Sequence, residues 1–123
     1  MKRLSRKIFK LLNNSGKTLA TAESCTAGGI ANAIVQTPGA SNYFKGGIVS
    51  YTNEVKMQLL GVEDKVLEEQ TAVCEEVARQ MVVGACRALK SDYAISATGL
   101  AGPGGGSDAI PVGTIWLACG SAD

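Results

Sequence analysis

The sequence predicts an α/β domain in which helices cover the faces of a central sheet. Short apolar segments alternate along the chain with longer segments of helical periodicity, the pattern typical of β–α–β units. The 123 residues are 46% hydrophobic and 19% charged, which suits one globular core. The third observation is the run TLATAESCTAGG at 18–29, in which a strand-like segment leads into a glycine-containing turn and a helix. Together these features favour a single domain over residues 1–123.

The chain begins with a predicted helix and a predicted buried strand. Leu4, Ile8 and Leu11 follow helical spacing, so residues 2–13 are predicted to form an amphipathic helix. The basic residues of this segment fit either the solvated face of that helix or an anion-binding patch. Residues 18–22 are uniformly compatible with a buried strand.

A helix, a strand and a second helix are predicted next. The segment 25–36 carries an apolar helical stripe and is followed by Pro38-Gly39, which ends it. The run GGIVSY at 46–51 is the second predicted strand. Thr52 is a good N-cap for the helix after it, and Gly61 is a typical terminating residue.

The second half adds two helices and two strands. A short helix is expected over 63–69, and the clearest helix of the chain over 75–90, where acids open and bases close the segment in keeping with the helix dipole. Residues 93–98 and 114–119 are the third and fourth predicted strands. The intervening loop is too rich in glycine for a regular element.

Composition limits the functions to consider. The formal net charge of +1 gives no argument for nucleic acid or a membrane as partner. No apolar run is long enough to span a bilayer. The four cysteines lack metal-site spacing and the chain has no histidine, so we expect no metal and no cofactor, and reduced thiols in a cytoplasmic protein. Acid–base chemistry here must use Lys, Tyr, Asp or Glu.

The turn around Ser24 is the first candidate site. A hydroxyl or thiol at the start of a helix, Ser24 or Cys25, lies where a nucleophile can act and where N–H groups can stabilise an oxyanion. The N–H groups of Cys25 and Thr26 are the candidate donors. The alternative is that Ser24 and Thr26 only cap a helix.

Lys56 is the candidate base. Ligands of open α/β sheets bind beyond the carboxyl ends of parallel strands, so Ser24 and Lys56 emerge at the same edge if both preceding strands are parallel. Lysine serves as a base only if its pKa falls well below about 10.4, and burial acts in that direction. Tyr51 could orient the amine or relay a proton. Alternatively, Lys56 is an exposed helix residue.

The third candidate is the loop that begins at Thr98, TGLAGPGGGS over 98–107. Consecutive glycines allow backbone N–H groups to approach a phosphate closely. The run lacks the Lys-Ser/Thr pair of a Walker loop, and no helix clearly starts after it as a dinucleotide-binding fingerprint requires. A flexible surface loop and an anion-binding nest are both consistent with it.

Several motifs resemble one known family. AESCTAGG (22–29), PGAS (38–41), GGIVSYTNEVKMQLLGV (46–62), AVCEEVA (72–78), ATGLAGPGGGS (97–107) and PVGTIW (111–116) are similar, in order and spacing, to the C-terminal domain of competence/damage-inducible protein CinA. The resemblance covers the chain from about residue 4 onward. It implies a three-layer α/β/α sandwich with a mostly parallel mixed sheet, whose antiparallel strand we expect at 114–119.

The family's stand-alone form is a nicotinamide mononucleotide deamidase, so the resemblance implies an amidohydrolase that releases nicotinate mononucleotide and ammonia by a Ser/Lys mechanism. Matched motif by motif, Ser24 is the implied nucleophile, Lys56 the base, and Tyr51 a further catalytic residue. The implied substrate-binding residues are Glu23, Cys25, Thr26, Asn53, Thr98, Gly102, Gly104, Gly105 and Gly106. The role of Glu23 is open. The alternatives are a nucleotide-binding or regulatory module without turnover, and a thiol enzyme that uses Cys25.

The chain departs from the family pattern at a few positions. Ala27 replaces a frequent glycine, and Cys74 replaces a usual helix-capping serine with a residue that is a poor cap. Family domains continue beyond the fourth strand, so we expect the chain to lack the family's last strand and helix. We expect its partners to be a small-molecule nucleotide and other copies of itself in a homo-oligomer.

Overall fold

A computed structural model describes residues 2–123, and a sheet of four strands organises it. The sheet order is β2-β1-β3-β4, with β1 (Leu19–Glu23) between β2 (Phe44–Val49) and β3 (Tyr93–Gly99). Both neighbours run parallel to β1, and β4 (Ile115–Gly120) runs antiparallel to β3. The mostly parallel mixed sheet and the antiparallel fourth strand are therefore confirmed.

Helices lie on both faces of this sheet. The helices are α1 (Lys2–Leu12), α2 (Gly29–Val35), α3 (Asn53–Leu60), α4 (Asp64–Gln70) and α5 (Glu75–Leu89). One apolar cluster joins α3, α4 and α5 to Ala20, Ala22 and Ala94 of the sheet. A second cluster joins α1 and α2 to Leu19 and Tyr43. The predicted α/β/α layering is confirmed.

Two element boundaries differ from the sequence-based expectation in ways that shape the site. The helix expected from residue 25 begins at Gly29, because 24–28 form a turn in which Ala27 (φ 48°) and Gly28 (φ 96°) adopt left-handed conformations. The second strand ends at Val49 rather than at 51, since Val49 is the partner of Glu23, the last residue of β1. Both differences leave polar residues outside regular structure, just beyond the carboxyl ends of β1 and β2.

The caps of the longer helices behave as their sequences indicate. Thr52 Oγ1 accepts a hydrogen bond from Val55 N at 3.2 Å, and Gly61 ends α3 in the left-handed conformation (φ 67°). Cys74, at the N-cap of α5, makes no side-chain capping bond, as expected for a cysteine.

Candidate active site

The carboxyl ends of the parallel strands bring the candidate residues together. Glu23 pairs with Val49 on β2 and with Ala97 on β3, so the residues that follow these positions leave the sheet at one edge. Ser24 N donates to Ala97 O at 2.9 Å, and Ser50 N donates to Glu23 O at 2.7 Å. The peptide group that joins Glu23 to Ser24 is thereby fixed on both sides, by Ala97 of β3 and by Ser50 just after β2.

Ser24 and Lys56 are in direct contact at this edge. Lys56 Nζ donates to Ser24 Oγ at 3.0 Å, across 32 positions of sequence. Both side chains are buried, Ser24 with 6% and Lys56 with 2% of its surface exposed. A serine hydroxyl and a lysine amine at hydrogen-bond distance have the geometry that a nucleophile and its base require.

The surroundings of Lys56 favour the neutral amine. Burial lowers the pKa of Lys56 below its ordinary value, and the nearby Cys25 thiol opposes this effect in part. Within residues 2–123 the sole ion pair is Arg79–Glu75, so no carboxylate pairs with the Lys56 amine. A buried lysine without a counter-ion loses its proton more readily than an exposed one.

Helix α3 positions Lys56 from the β2 side of the sheet. Lys56 lies one turn after the Thr52 cap, and Leu60 follows four residues later on the same helix face. Both are buried. The apolar stem of Lys56 is thus anchored with the core face of α3, while the amine reaches Ser24.

In the turn 24–28, the N–H groups of Cys25, Thr26 and Gly28 have no acceptor among the hydrogen bonds of the described residues. Ser24 O accepts from Ala27 N at 3.1 Å, and Thr26 O accepts from Gly29 N at 2.9 Å. Among the hydrogen bonds of the described residues, none is donated by the N–H groups of Cys25 or Thr26. These donors, next to the Ser24 hydroxyl, are available to an oxyanion.

Glu23 occupies the start of α2. Its Oε1 accepts from Thr26 Oγ1 at 2.7 Å and from Ile30 N at 2.8 Å, and its Oε2 accepts from Ala31 N at 2.9 Å. The carboxyl group is 1% exposed. The amides of Ile30 and Ala31 in the first turn of α2 are therefore occupied by the protein itself, whereas those of Cys25 and Thr26, the donors that the sequence suggests, are not.

The threonine hydroxyls expected near substrate are also engaged internally. Thr26 donates to Glu23, and Thr98 Oγ1 donates to Ala72 O at 2.8 Å, which ties the end of β3 to the loop before α5. Thr98 is 1% exposed. As donors, these hydroxyls support the walls of the site.

Of the remaining expected residues, Tyr51 and Asn53 lie at the surface, and Cys25 is half-buried. The Tyr51 side chain is 69% exposed, and Asn53 is exposed at the first position of α3. Cys25 is half-buried beside Gly99, where an added Cβ would lie 3.0 Å from Cys25 Sγ.

The glycine loop between β3 and β4 is exposed throughout Gly102, Gly104, Gly105 and Gly106. Val112 packs where side chains at Gly102 and Gly106 would project, so glycine is required for this close approach. The ends of the loop are joined, since Leu100 N donates to Thr114 O at 2.9 Å and Gly113 N donates to Leu100 O at 2.7 Å. None of the hydrogen bonds described for 2–123 links these four glycines to the Ser24 turn.

Ser50 is a residue of the site that sequence reasoning missed. It is fully buried, and its Oγ lies 3.3 Å from Glu23 O in addition to the backbone bond. The sequence predicts it as part of the second strand, which ends one residue earlier, at Val49. A hydroxyl at the end of an otherwise apolar strand was the available signal.

Other surface features lie away from this site. A groove of about 690 Å³ between α3 and α5 is lined by residues that include Leu59, Arg79 and Arg87, but by neither Ser24 nor Lys56. No cluster of three metal-ligating side chains occurs within the described part of the chain. Over the same residues, none of the helices combines the length and the apolar character needed to cross a membrane.

Comparison with known proteins gives consistent results. The sequence model of the CinA C-terminal domain matches residues 1–123. Nicotinamide-nucleotide amidohydrolase PncC of Escherichia coli K12 is 44% identical over 119 residues, which are 97% of this chain and 72% of that protein. A CinA-like protein of Rippkaea orientalis is 45% identical over 114 residues, 93% of this chain and 27% of that protein.

Solved structures show the same fold. The competence/damage inducible protein CihA of Agrobacterium tumefaciens superposes with a TM-score of 0.94 at 40% identity, covering 98% of this chain and 73% of that one. A CinA superfamily protein of E. coli gives 0.92 at 36% identity, covering 98% and 70%.

Proposed function

Since the chain belongs to the CinA C-terminal domain family, we propose that it is an amidohydrolase that converts nicotinamide mononucleotide to nicotinate mononucleotide and ammonia. The observation that carries this proposal is the 3.0 Å contact between the buried Ser24 hydroxyl and the buried Lys56 amine. The relative at 44% identity is named for amide hydrolysis on a nicotinamide nucleotide. The proposed pair supplies the groups that such a reaction needs.

In the first half of the reaction, Ser24 Oγ attacks the carboxamide carbon and neutral Lys56 takes the hydroxyl proton. The carbonyl oxygen becomes an oxyanion, for which the free N–H groups of Cys25 and Thr26 are the proposed donors. Protonated Lys56 then gives its proton to the departing nitrogen. The C–N bond breaks, ammonia leaves, and an ester joins Ser24 to the nicotinate group.

In the second half, water attacks this ester. Lys56 accepts a proton from the water and returns one to Ser24 Oγ as the C–O bond breaks. Nicotinate mononucleotide leaves and the starting protonation states are restored. The base needs to be neutral at the start of each half, which the lowered pKa of Lys56 favours.

The exposed residues around this pair are assigned to the substrate within the same proposal. Tyr51 and Asn53 flank the end of β2 and the start of α3, where they would line the entrance and assist orientation. The loop with Gly102, Gly104, Gly105 and Gly106 follows β3 and offers backbone N–H groups to the phosphate.

The setting of the reaction is part of the proposal. The free thiols Cys25, Cys74, Cys86 and Cys119 suit a reducing cytoplasm. A single domain is proposed for residues 1–123, because both apolar clusters pack against the same strand, β1. A homo-oligomer is proposed because apolar side chains of β4 are exposed.

The test is ammonia release from nicotinamide mononucleotide by the purified chain and three variants. We expect Ser24→Ala and Lys56→Met each to lower kcat by about 1000-fold or more, because each removes a reacting group. Cys25→Ala is the matched control, since it removes a thiol from the same turn and leaves the reacting pair intact.

A parent protein that binds the nucleotide without releasing ammonia would be a nucleotide-binding module instead. Loss of activity in Cys25→Ala, with Ser24→Ala active, would identify a thiol enzyme. Activity of Lys56→Met at the parental rate would remove Lys56 as the base.

A further inference from the structure

We propose that Glu23 is a positioning residue for the reaction, whose buried carboxylate fixes the turn 24–28 that carries the nucleophile. This inference rests on the proposed function and concerns the same site. Glu23 need not touch the substrate in this role. It acts through Ser24 and through the backbone donors at Cys25 and Thr26.

The Glu23 carboxylate accepts hydrogen bonds from uncharged donors only. Both oxygens are used, Oε1 by Thr26 Oγ1 and Ile30 N, and Oε2 by Ala31 N, at 2.7 to 2.9 Å. No ion pair involving Glu23 occurs among residues 2–123. Burial of a carboxylate is unfavourable unless its oxygens accept hydrogen bonds. The N-terminal end of a helix is a favourable place for a carboxylate, because the helix dipole is positive there. The arrangement therefore binds the side chain of Glu23 firmly to α2.

The main chain of Glu23 is fixed independently of its side chain. Its carbonyl oxygen accepts from Ser50 N at 2.7 Å and lies 3.3 Å from Ser50 Oγ. Glu23 therefore connects β2 through its backbone to α2 through its carboxylate. The nucleophile Ser24 is the next residue, so its position depends on this connection.

The turn itself needs such support. Ala27 has a φ of 48°, a region that is unfavourable for a residue with a Cβ. Left to itself, the turn would relax toward other conformations and take the Ser24 hydroxyl away from Lys56. The three hydrogen bonds to Glu23 close the segment from residue 23 to residue 31 and hold it in one arrangement. Small displacements of a nucleophile reduce turnover strongly.

The experiment compares Glu23→Gln with Glu54→Gln, an exposed glutamate in the first turn of α3 that accepts a hydrogen bond from Gln58. Glutamine keeps the size of Glu23 but replaces one acceptor oxygen by an NH₂ group, which would face a backbone donor. We expect Glu23→Gln to lower kcat for nicotinamide mononucleotide by about tenfold or more, with KM changed by less than about threefold. Glu54→Gln should keep the parental values.

A thermal melt and a second pair of variants distinguish the positioning role of Glu23 from a role in protein stability alone. At a temperature where Glu23→Gln is fully folded, a purely structural role would leave kcat within about twofold of the parent, and that result would overturn the proposal. Thr26→Val removes one of the bonds to Glu23 and should lower kcat, whereas Thr26→Ser keeps the hydroxyl and should restore it. Equal kcat values for Thr26→Val and Thr26→Ser would count against the proposal.

Two measurements work without turnover. Amide hydrogen exchange at Ile30 and Ala31 should be faster in Glu23→Gln than in Glu54→Gln, because these amides lose a charged acceptor. Labelling of Ser24 by a fluorophosphonate reagent should be slower in Glu23→Gln. If the parent releases no ammonia, the proposed function fails, and these two measurements still decide the role of Glu23. Unchanged exchange and labelling with an active parent would refute the positioning role alone.

Discussion

The amine of Lys56 lies 3.0 Å from Ser24 Oγ and has no acidic partner among residues 2–123, and the residue as a whole is 2% exposed. Such burial penalises the ammonium form, which is the physical reason for the lowered pKa of Lys56. The same feature that costs stability at neutral pH makes the side chain useful as a base. At the scale of this residue, we therefore expect kcat and the free energy of unfolding to depend on pH.

We expect kcat for nicotinamide mononucleotide to rise with pH, with a midpoint below the ordinary lysine pKa of about 10.4, because the neutral fraction of Lys56 grows through that range. The unfolded chain binds the Lys56 proton more tightly than the folded chain. The contribution of this group to the free energy of unfolding should therefore rise with pH between the two pKa values.

The measurement is a pH–rate profile, together with denaturant unfolding at several pH values. Lys65→Met, which removes an exposed lysine of α4, should leave both profiles unchanged. Lys56→Met should abolish the pH-dependent part of stability that belongs to this group. A rate midpoint at the ordinary lysine value, or a rate that falls as the amine becomes neutral, would contradict the assignment.

At the level of single residues, sequence reasoning predicted that Ser24 and Lys56 lie close together but did not predict the hydrogen-bond partners of several neighbours. Ser24 and Lys56 could be placed together because both follow parallel strands, and the structure has them in contact. The sequence around a residue does not determine which group its side chain hydrogen-bonds. Glu23 reaches α2, Thr98 reaches Ala72, and Ser50 binds Glu23 O only because the tertiary fold brings these groups together.

At the scale of elements, Gly84 determines how closely α3 approaches α5. A Cβ at this position would clash with Leu60 O, the carbonyl at the end of α3. Glycine in the interior of an exposed helix is usually unfavourable relative to alanine. Here its missing side chain permits the close contact between α5 and α3, the helix that carries Lys56.

We therefore expect Gly84→Ala to destabilise the protein, by about 1–3 kcal/mol, although alanine is the better helix former. The displaced α3 should also increase the Ser24–Lys56 distance and lower kcat. Urea unfolding and ammonia release measure the two effects. Gly120→Ala, at a glycine with no atom within 4 Å of the added Cβ, should change neither. A Gly84→Ala protein as stable as the parent would refute this account.

The order and type of the elements could be predicted from the sequence, while the boundaries at the site could not. Periodicity identified α5 and the Thr52 cap identified the start of α3. The start of α2 was expected four residues too early, because left-handed Ala27 and the capping carboxylate of Glu23 have no helical-pattern signature. The antiparallel direction of β4 came from the family resemblance rather than from any local pattern.

At the scale of the whole molecule, one face of the edge strand β4 is poorly covered by other elements. Ile115 and Leu117 alternate along β4 with 52% and 65% of their surfaces exposed. Ala118, on the opposite side of the strand, packs against the cluster that contains α5. The uncovered side of β4 is thus apolar, and within residues 2–123 no further strand pairs with the outer edge of β4.

We expect this surface to mediate association as protein concentration rises, because contiguous exposed apolar side chains favour contact with other molecules. Sedimentation velocity over a concentration series measures it. Leu117→Lys should shift the distribution toward the monomer. Val35→Lys, which adds the same charge at a half-exposed apolar residue of α2, should leave it unchanged. A parent protein that stays monomeric at every concentration would contradict this expectation.

The side chains of Ser24 and Lys56 come from separate crossovers, 32 positions apart, and meet only when β1 and β2 are paired. A nascent or partly denatured polypeptide in which these strands are unpaired holds an ordinary, fully hydrated lysine and an unactivated serine. Such a chain would lack the Ser24–Lys56 contact and could not hydrolyse an amide by the proposed mechanism. Only completely folded molecules would then be active. The rate of ammonia release would therefore measure the fraction of molecules that have folded correctly.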